Sequence, residues 1–203
     1  MQHTPISYAK DNERCEWLYK ILPTKEILTI SHGLLGVLNV LRWKGAIQVV
    51  DTDIGVIKAT EYVIPDFRKL KSRLHILPPI HRPIQDMIRP YLIRRGAKNL
   101  GAVDIDLACN VVEATHIALP VLQALTEAKY KGKTLVTFRN GRDDGFSDLD
   151  GRIDYLRQSC SDVGAKIVSV RPYVSQGLES NAKRKKGSAM CIVDIRWKQS
   201  SKA

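Results

Sequence analysis

The chain has 203 residues, 44% of them hydrophobic and 26% charged, with 32 lysines and arginines against 21 acids. That length and balance suit one full-sized globular domain with a substantial core, and leave little room for a second. A net charge of +11 favours a polyanionic partner through phosphate neutralisation and counterion release, without saying which sequence such a partner carries.

The first residues, MQHTPISYAKDNER, contain no apolar core of a signal peptide, and no stretch approaches transmembrane length. The expectation is a cytoplasmic protein that avoids membranes. Cys15, Cys109, Cys160 and Cys191 form no C-x-x-C pair, which suits reduced thiols and argues against a zinc knuckle. The histidines show no H-x-x-x-H spacing, so no metal site is expected.

Residues 1–24 read as an accessory segment, residues 25–198 as the main domain and residues 199–203 as a tail. Within the first segment, Asp11–Leu22 patterns as a short helix with Trp17, Leu18 and Ile21 on one side, ending before Pro23 and laid across a sheet edge. Glu26–Ile30 is a short strand that stops at Ser31-His32-Gly33, residues suited to a tight turn. From Leu34 the apolar period is helical, through Leu35, Leu38 and Leu41, and Lys44-Gly45 closes the helix. Ala46–Val50 reads as a parallel strand buried on both faces, ending at Asp51-Thr52-Asp53.

This strand–turn–helix–strand unit has a definite chemistry. A helix N-terminus offers unpaired N–H groups, and glycine allows close backbone approach. An acid at the tip of the second strand can accept hydrogen bonds from both hydroxyls of a ribose. Gly33 and Gly36 give G-x-x-G and not the G-x-G-x-x-G dinucleotide fingerprint. An ordinary βαβ unit with solvated acids fits the same residues.

Ile54–Tyr62 begins a further helix that cannot run smoothly through Pro65. Arg68–Lys98 then carries nine cations, Arg68, Lys69, Lys71, Arg73, Arg82, Arg89, Arg94, Arg95 and Lys98, against the single acid Asp86. So one-sided a segment is expected to contact nucleic acid or another polyanion. The alternative is a solvated face whose long stems cover apolar surface. Inside it, Leu74–Leu77 patterns as a third strand before Pro78-Pro79. Ile84–Arg95 patterns as a helix burying Ile84, Met87, Ile88 and Leu92, bent by Pro90.

Gly101–Leu107 is the next strand, and alternation puts Asp104 and Asp106 on one face, with at least one near its C-terminal end. Ala108-Cys109-Asn110 turns into a helix that includes Ile117, Leu119, Leu122 and Leu125. Lys133–Phe138 is a clear strand, followed by the polar loop Arg139–Gly145. Leu149–Gly164 reads as a helix with Ile153, Leu156 and Cys160 inward, stopped by Gly164. Two strands then follow, Lys166–Tyr173 and Ala189–Trp197, with only a polar, charged connection between them. Without a crossover helix they must pair antiparallel or belong to different sheets.

Strand–helix alternation ending in an antiparallel hairpin resembles the class I S-adenosylmethionine-dependent methyltransferases, over about residues 25–198. The resemblance implies an α/β, Rossmann-like three-layer sandwich: a mostly parallel seven-stranded sheet with an antiparallel C-terminal hairpin. It implies S-adenosylmethionine as cofactor. The family's glycine loop falls on Thr29–Gly36, with Ser31, His32 and Gly33 touching the methionine part. The ribose acid falls on Asp51, with Thr52 beside it and Asp53 as substitute. The adenine side falls on Ile80–Arg82, including His81, where the family's usual acid is missing. The fourth-strand motif falls on Asp104–Asn110, DIDLACN.

That motif lacks the Asn/Asp-Pro-Pro-aromatic turn of base-amino methyltransferases. Asp106-Leu107-Ala108-Cys109 has the acid–cysteine spacing of RNA cytosine-C5 enzymes without their proline. Asp106 and Cys109 are therefore the candidate catalytic residues, Asp106 to accept or hydrogen-bond the acceptor's proton. For Cys109, a site-lining or buried role stands beside a nucleophilic one. The phosphate-contacting candidates are Arg68, Lys69, Lys71, Arg73, Arg94 and Arg95, together with the loop cations Lys183, Arg184, Lys185 and Lys186. Three functions remain open: a methyltransferase acting on nucleic acid or another anionic substrate, a non-catalytic nucleic-acid-binding protein on the same shell, and a dinucleotide oxidoreductase.

Overall fold

The computed structural model describes residues 25–30, 46–55, 57–58, 61–62, 75–107, 109–141, 144–175 and 188–197. The expected N-terminal helix, the helix from Leu34, Ser31-His32-Gly33, the cations Arg68, Lys69, Lys71 and Arg73, and the loop with Lys183–Lys186 lie outside them.

Among the described residues eight strands run in chain order: β1 (Glu26–Ile30), β2 (Ala46–Asp51), β3 (His75–Ile76), β4 (Ile80–His81), β5 (Leu100–Asp106), β6 (Lys133–Arg139), β7 (Ala165–Ser175) and β8 (Ser188–Trp197). Between them lie α1 (Ile84–Arg95), α2 (Val111–Glu127) and α3 (Leu149–Asp162). All belong to one sheet of order β3-β2-β1-β5-β6-β8-β7. β3 pairs with Ala46–Ile47 and β4 with Val50–Asp51, so the two together occupy a single edge position. β3 is the strand expected at Leu74–Leu77, and β4, which was not expected, continues its position beyond the prolines. Pro78 and Pro79 have no N–H to give to β2, and the ladder resumes only at Ile80. Counted by position, the sheet has the seven strands expected.

Pairing is parallel from β3 through β6. β8 then inserts antiparallel between β6 and β7. The C-terminal hairpin is therefore as the sequence indicated, and β8 is its inner strand. Its residues Met190–Ile195 are buried, whereas Val168 and Val174 of the outer strand β7 are exposed. Pro172 and two basic residues, Lys166 and Arg171, lie along that outer strand, which discourages pairing with a further strand.

β1, β2 and β5 are buried on both faces, which is why they read as near-continuous apolar runs. One face packs on α1–α3 through Leu28, Val50, Val103, Ile105, Val136 and Phe138. Alternation turns Thr29, Asp104 and Asp106 to the other. α1 has the expected limits and buries Ile84, Met87, Ile88 and Tyr91. Tyr91 takes the place expected of Leu92, which is only half-buried. The reason is polar: Tyr91 donates to Glu26 Oε2 at 2.5 Å while Arg95 grips the same carboxylate, joining α1 to β1. Burial alone would raise the Glu26 pKa, but these hydrogen bonds hold it below its usual value. Helix α1 continues through Pro90, and α2 through Pro120, because both prolines sit on exposed sides.

Helix α3 starts at Asp148, whose side chain accepts from Gly151 N at 2.9 Å, and gives way at Gly164, whose φ of 74° suits glycine. Ile153, Leu156 and Cys160 face inward as expected, and so does Arg152. Its guanidinium binds both Asp144 oxygens, at 2.7 and 2.8 Å, and the carbonyls of Gly141, Phe146 and Asp148. One arginine thus gathers the polar stretch after β6. The Asp144 side chain is fully buried. Burial opposes its charge, yet the Arg152 hydrogen bonds keep its pKa below the ordinary 3.8.

Removing one partner of a buried pair is costly. Because Asp144 lies under a thin loop, Asp144→Ala should destabilise by about 3 kcal/mol, the low end for such pairs, in urea unfolding. Its contribution is present above pH 3.8 and disappears as pH falls toward the depressed folded value. The wild-type and variant stability curves should therefore converge in acid.

Candidate cofactor crevice

β1 is flanked by β2 on one side and β5 on the other; β1 is followed by β2 and β5 by β6, so the strand order reverses between β1 and β5. In open α/β sheets, ligands gather beyond the C-terminal ends of the strands at such a switch point. A cavity of about 210 Å³ lies there. Ile30, Val50, Asp51 and Thr52 come from β1, β2 and the turn after it; Asp106 and Leu107 from the end of β5; Arg82, Pro83, Ile84 and Gln85 from the start of α1; Ile117 from α2. Complete ligand pockets usually hold about 300–1,000 Å³, so these walls form one part of a ligand site.

Asp51 is 6% exposed. Its Oδ1 accepts from Asp53 N at 2.8 Å, and its Oδ2 is buried with no hydrogen-bond partner among the described residues. A carboxylate oxygen held dry is costly unless something donates to it. Asp53 behaves differently. Its Oδ1 accepts from Gly55 N at 2.7 Å and its carbonyl from Ile57 N, so it caps the helical turn that follows, and it does not line the cavity. His81 is exposed with a ring nitrogen 2.9 Å from the Thr52 carbonyl, also outside the lining. Asp104 is fully buried one step behind the cavity, where Thr29 Oγ1 donates to its Oδ2 at 2.9 Å. Asp106, 1% exposed, is the carboxylate of that strand that reaches the cavity.

Asn110 starts α2 by accepting from Glu113 N at 3.0 Å. Cys109, half-buried just before it, is not among the cavity walls. Burial first, then the Glu113 carboxylate, pushes its thiol up to about 11. A helix start often lowers a cysteine pKa, but here desolvation outweighs it. Cys109 is therefore protonated at neutral pH.

Of the expected cofactor and catalytic residues, the structure brings Asp51, Thr52 and Asp106 together. Arg82, at the end of the segment expected on the adenine side, also lines the cavity. Pro83, Gln85 and Ile117 join them without having been singled out as cofactor contacts; the break at Pro83 before an apolar-periodic helix was the signal that could have found the first two. Of the expected phosphate contacts, Arg94 is exposed and Arg95 is ion-paired with Glu26. Arg89 is likewise paired with Glu127.

No protein-family model and no curated protein sequence matches the chain. Solved structures do. Trm5b from Pyrococcus abyssi superposes with a TM-score of 0.58 at 13% identity over 96% of this chain and 50% of its own. The chain thus spans half the length of Trm5b. The fold is that of the class I S-adenosylmethionine-dependent methyltransferases. The glycopeptide N-methyltransferase MtfA in complex with S-adenosylmethionine shares it at 13% identity, TM-score 0.53, over 93% of this chain and 87% of its own. So does aTrm5 in complex with tRNALeu, at 14% identity and TM-score 0.53, over 92% of this chain and 45% of its own. In this fold the cavity at the ends of β1, β2 and β5 is lined by both Asp51 and Asp106.

Alkylation of Cys109 by iodoacetamide, followed by peptide mapping, should be slow at pH 7–8 and accelerate only toward pH 11. Asp53→Ala should lower stability by about 0.5–2 kcal/mol through the lost cap.

Proposed function

We propose that the chain is an S-adenosylmethionine-dependent methyltransferase acting on nucleic acid. The observation that carries this reading is the buried Asp51 carboxylate, with one oxygen lacking a donor among the described residues, at the switch point of a methyltransferase-type sheet. A ribose diol supplies the donors that such a carboxylate needs. When bound, S-adenosylmethionine supplies an electrophilic methyl group on a sulfonium centre.

The chain's own residues divide the remaining work. Asp51 and Thr52 hold the ribose, with Ser31, His32 and Gly33 assigned from the sequence to the methionine part. Arg82, Pro83 and Gln85 border the adenine side, and Ile117 with Leu107 supplies apolar cover. Asp106 hydrogen-bonds the acceptor and takes its proton as the new bond forms, its position at a strand end fixing the acceptor's approach. Cys109 stays a thiol beside the site and forms no covalent bond to the substrate. The net charge of +11 supports a nucleic-acid acceptor, as does the tRNA seen with aTrm5.

Calorimetry with S-adenosylmethionine, S-adenosylhomocysteine and NAD tests the cofactor. Wild-type protein should bind the first two, and Asp51→Ala should weaken them by ~1.5–3 kcal/mol while remaining folded. Unchanged affinity in the folded variant would remove Asp51 from the site, and binding of NAD alone would turn the reading toward an oxidoreductase. Asp106→Asn should leave cofactor affinity intact and lower transfer of labelled methyl groups to total RNA by about 10²–10⁴-fold.

A further inference from the structure

At the opposite end of the sheet lies a second cavity, about 730 Å³, more than three times the size of the crevice. Six of its walls are cations: Lys25, Lys98, Lys129, Lys131, Lys133 and Arg196. No carboxylate lines it among the described residues. The floor is apolar or small, with Leu100 and Gly101 of β5 at its centre. The cations come from four separate places: the residue before β1, the α1–β5 loop, the α2–β6 connection into the start of β6, and the end of β8. Arg196 is neutralised by Asp194, through bonds of 3.0 and 3.2 Å. Lys98, Lys129 and Lys131 approach the same space from two of those segments.

Clustered like charges repel, and a helix C-terminus explains only some of them. The negative end of α2 favours Lys129 and Lys131. It does not account for Lys98, which reaches the same cavity from the α1–β5 loop and whose carbonyl accepts from Lys25 Nζ. Lys129 carries a further cost. It sits at φ 52°, the only positive-φ residue other than glycine among those described. Around it the α2 terminus makes the paired closing bonds, Tyr130 N to Leu125 O and Lys129 N to Thr126 O, both 2.9 Å, of a motif that normally places glycine there. Left-handed backbone costs a side chain roughly 1–2 kcal/mol. Glycine would relieve both the strain and part of the repulsion, yet the position holds a cation. Strain of this kind collects where a side chain has a use.

The walls are also fixed in advance. Tyr130 is buried, packs edge-on against Trp197 at 5.2 Å, and donates to the Lys133 carbonyl at 2.9 Å. A side chain at Gly132 would begin 2.2 Å from the Tyr130 oxygen, so only glycine allows the chain to turn there. A preformed cavity keeps the ordering cost of binding low.

We propose that this basic cavity binds the phosphodiester backbone of a nucleic-acid strand, as a second anchor away from the crevice. Lysines supply mobile point charges, suited to successive phosphates, where a compact nucleotide would call for arginine forks and base-reading groups. β5 runs from Leu100 at this cavity to Asp106 at the crevice, six steps of about 3.3 Å, or roughly 20 Å. At the stacked spacing of ~3.4 Å per nucleotide, a strand reaching from one to the other spans about six nucleotides. This inference rests on the nucleic-acid part of the proposed function and is independent of methyl transfer.

The test is fluorescence anisotropy with a labelled oligouridine of roughly a dozen nucleotides, long enough for both ends by the same spacing. The variant is Lys98→Gln/Lys129→Gly/Lys131→Gln. Its melting temperature should be no lower than wild type, because Lys129→Gly relieves the left-handed backbone. Its RNA affinity at low salt should drop at least about tenfold, and the log–log salt slope should flatten by about 2, near 0.7 for each lysine lost. S-adenosylmethionine affinity should not change. Unchanged RNA affinity and salt slope in the folded variant would overturn the proposal, as would a wild type that binds no oligouridine at low salt, even with cofactor binding intact. Loss of RNA binding in the variant of a protein that binds no S-adenosylmethionine would support the anchor and count against the methyltransferase reading alone. Should the triple variant fail to fold, Lys129→Gly alone must reproduce a weaker affinity and a flatter slope, or the proposal is rejected.

Discussion

The constraint that organises this molecule is the double pairing of β1. A five-residue strand with β2 on one flank and β5 on the other has nearly all its backbone groups in parallel ladders and its side chains buried on both faces. Such a strand cannot present anything along its length. Only its end is available. β1 is followed in sequence by β2 on one flank and β5 by β6 on the other, so the strand order reverses between them, and the crevice lies at that reversal. Asp51 and Asp106 reach that space because they are the last residues of their strands. Moving either one residue back would put it on the opposite face of the sheet.

Polar burial follows a similar logic elsewhere. Asp104 is fully buried, and Thr29 on the neighbouring strand is positioned by register to donate to it. Arg152 and Asp144 are sealed together, but only after the arginine has also collected three carbonyls from a loop that has little apolar content to hold it. For Asp144 the charge is tolerated because its hydrogen bonds are met locally. Asp51 differs from Asp144 in that its Oδ2 is buried with no hydrogen-bond partner among the described residues, at a residue that lines the crevice.

Much of the fold could be read from local pattern. Ile84–Arg95 has the limits its 3.6-residue period implied, and the C-terminal strands were distinguishable because no amphipathic helix could fit between them. Pattern failed where long-range partners decide. Leu92 and Tyr91 are both apolar enough for the core, and only Glu26, 65 residues away in sequence, selects Tyr91. Arg95 looks like a phosphate contact until the same carboxylate claims it. Asp51 and Asp53 are equivalent in sequence, and the turn between them decides which faces the crevice and which caps a helix. The basic cavity could not be read locally at all, because its lysines are separated by up to 108 positions, from Lys25 to Lys133.

The two ends of the sheet therefore carry opposite charge. Carboxylates gather at the C-terminal ends of β2 and β5, and lysines at the N-terminal ends of β5 and β6. Across roughly 20 Å, a unit pair in water interacts by only about 0.2 kcal/mol. Physiological salt, with a screening length of about 8 Å, reduces that further. The lysines consequently do little to discharge Asp51 and Asp106, and the acids do little to weaken the basic cavity. An acidic crevice suits a sulfonium cofactor, which is cationic, and disfavours a phosphate. The crevice and the basic cavity therefore behave electrostatically as separate sites, and a ligand's charge at one end leaves the field at the other nearly unchanged.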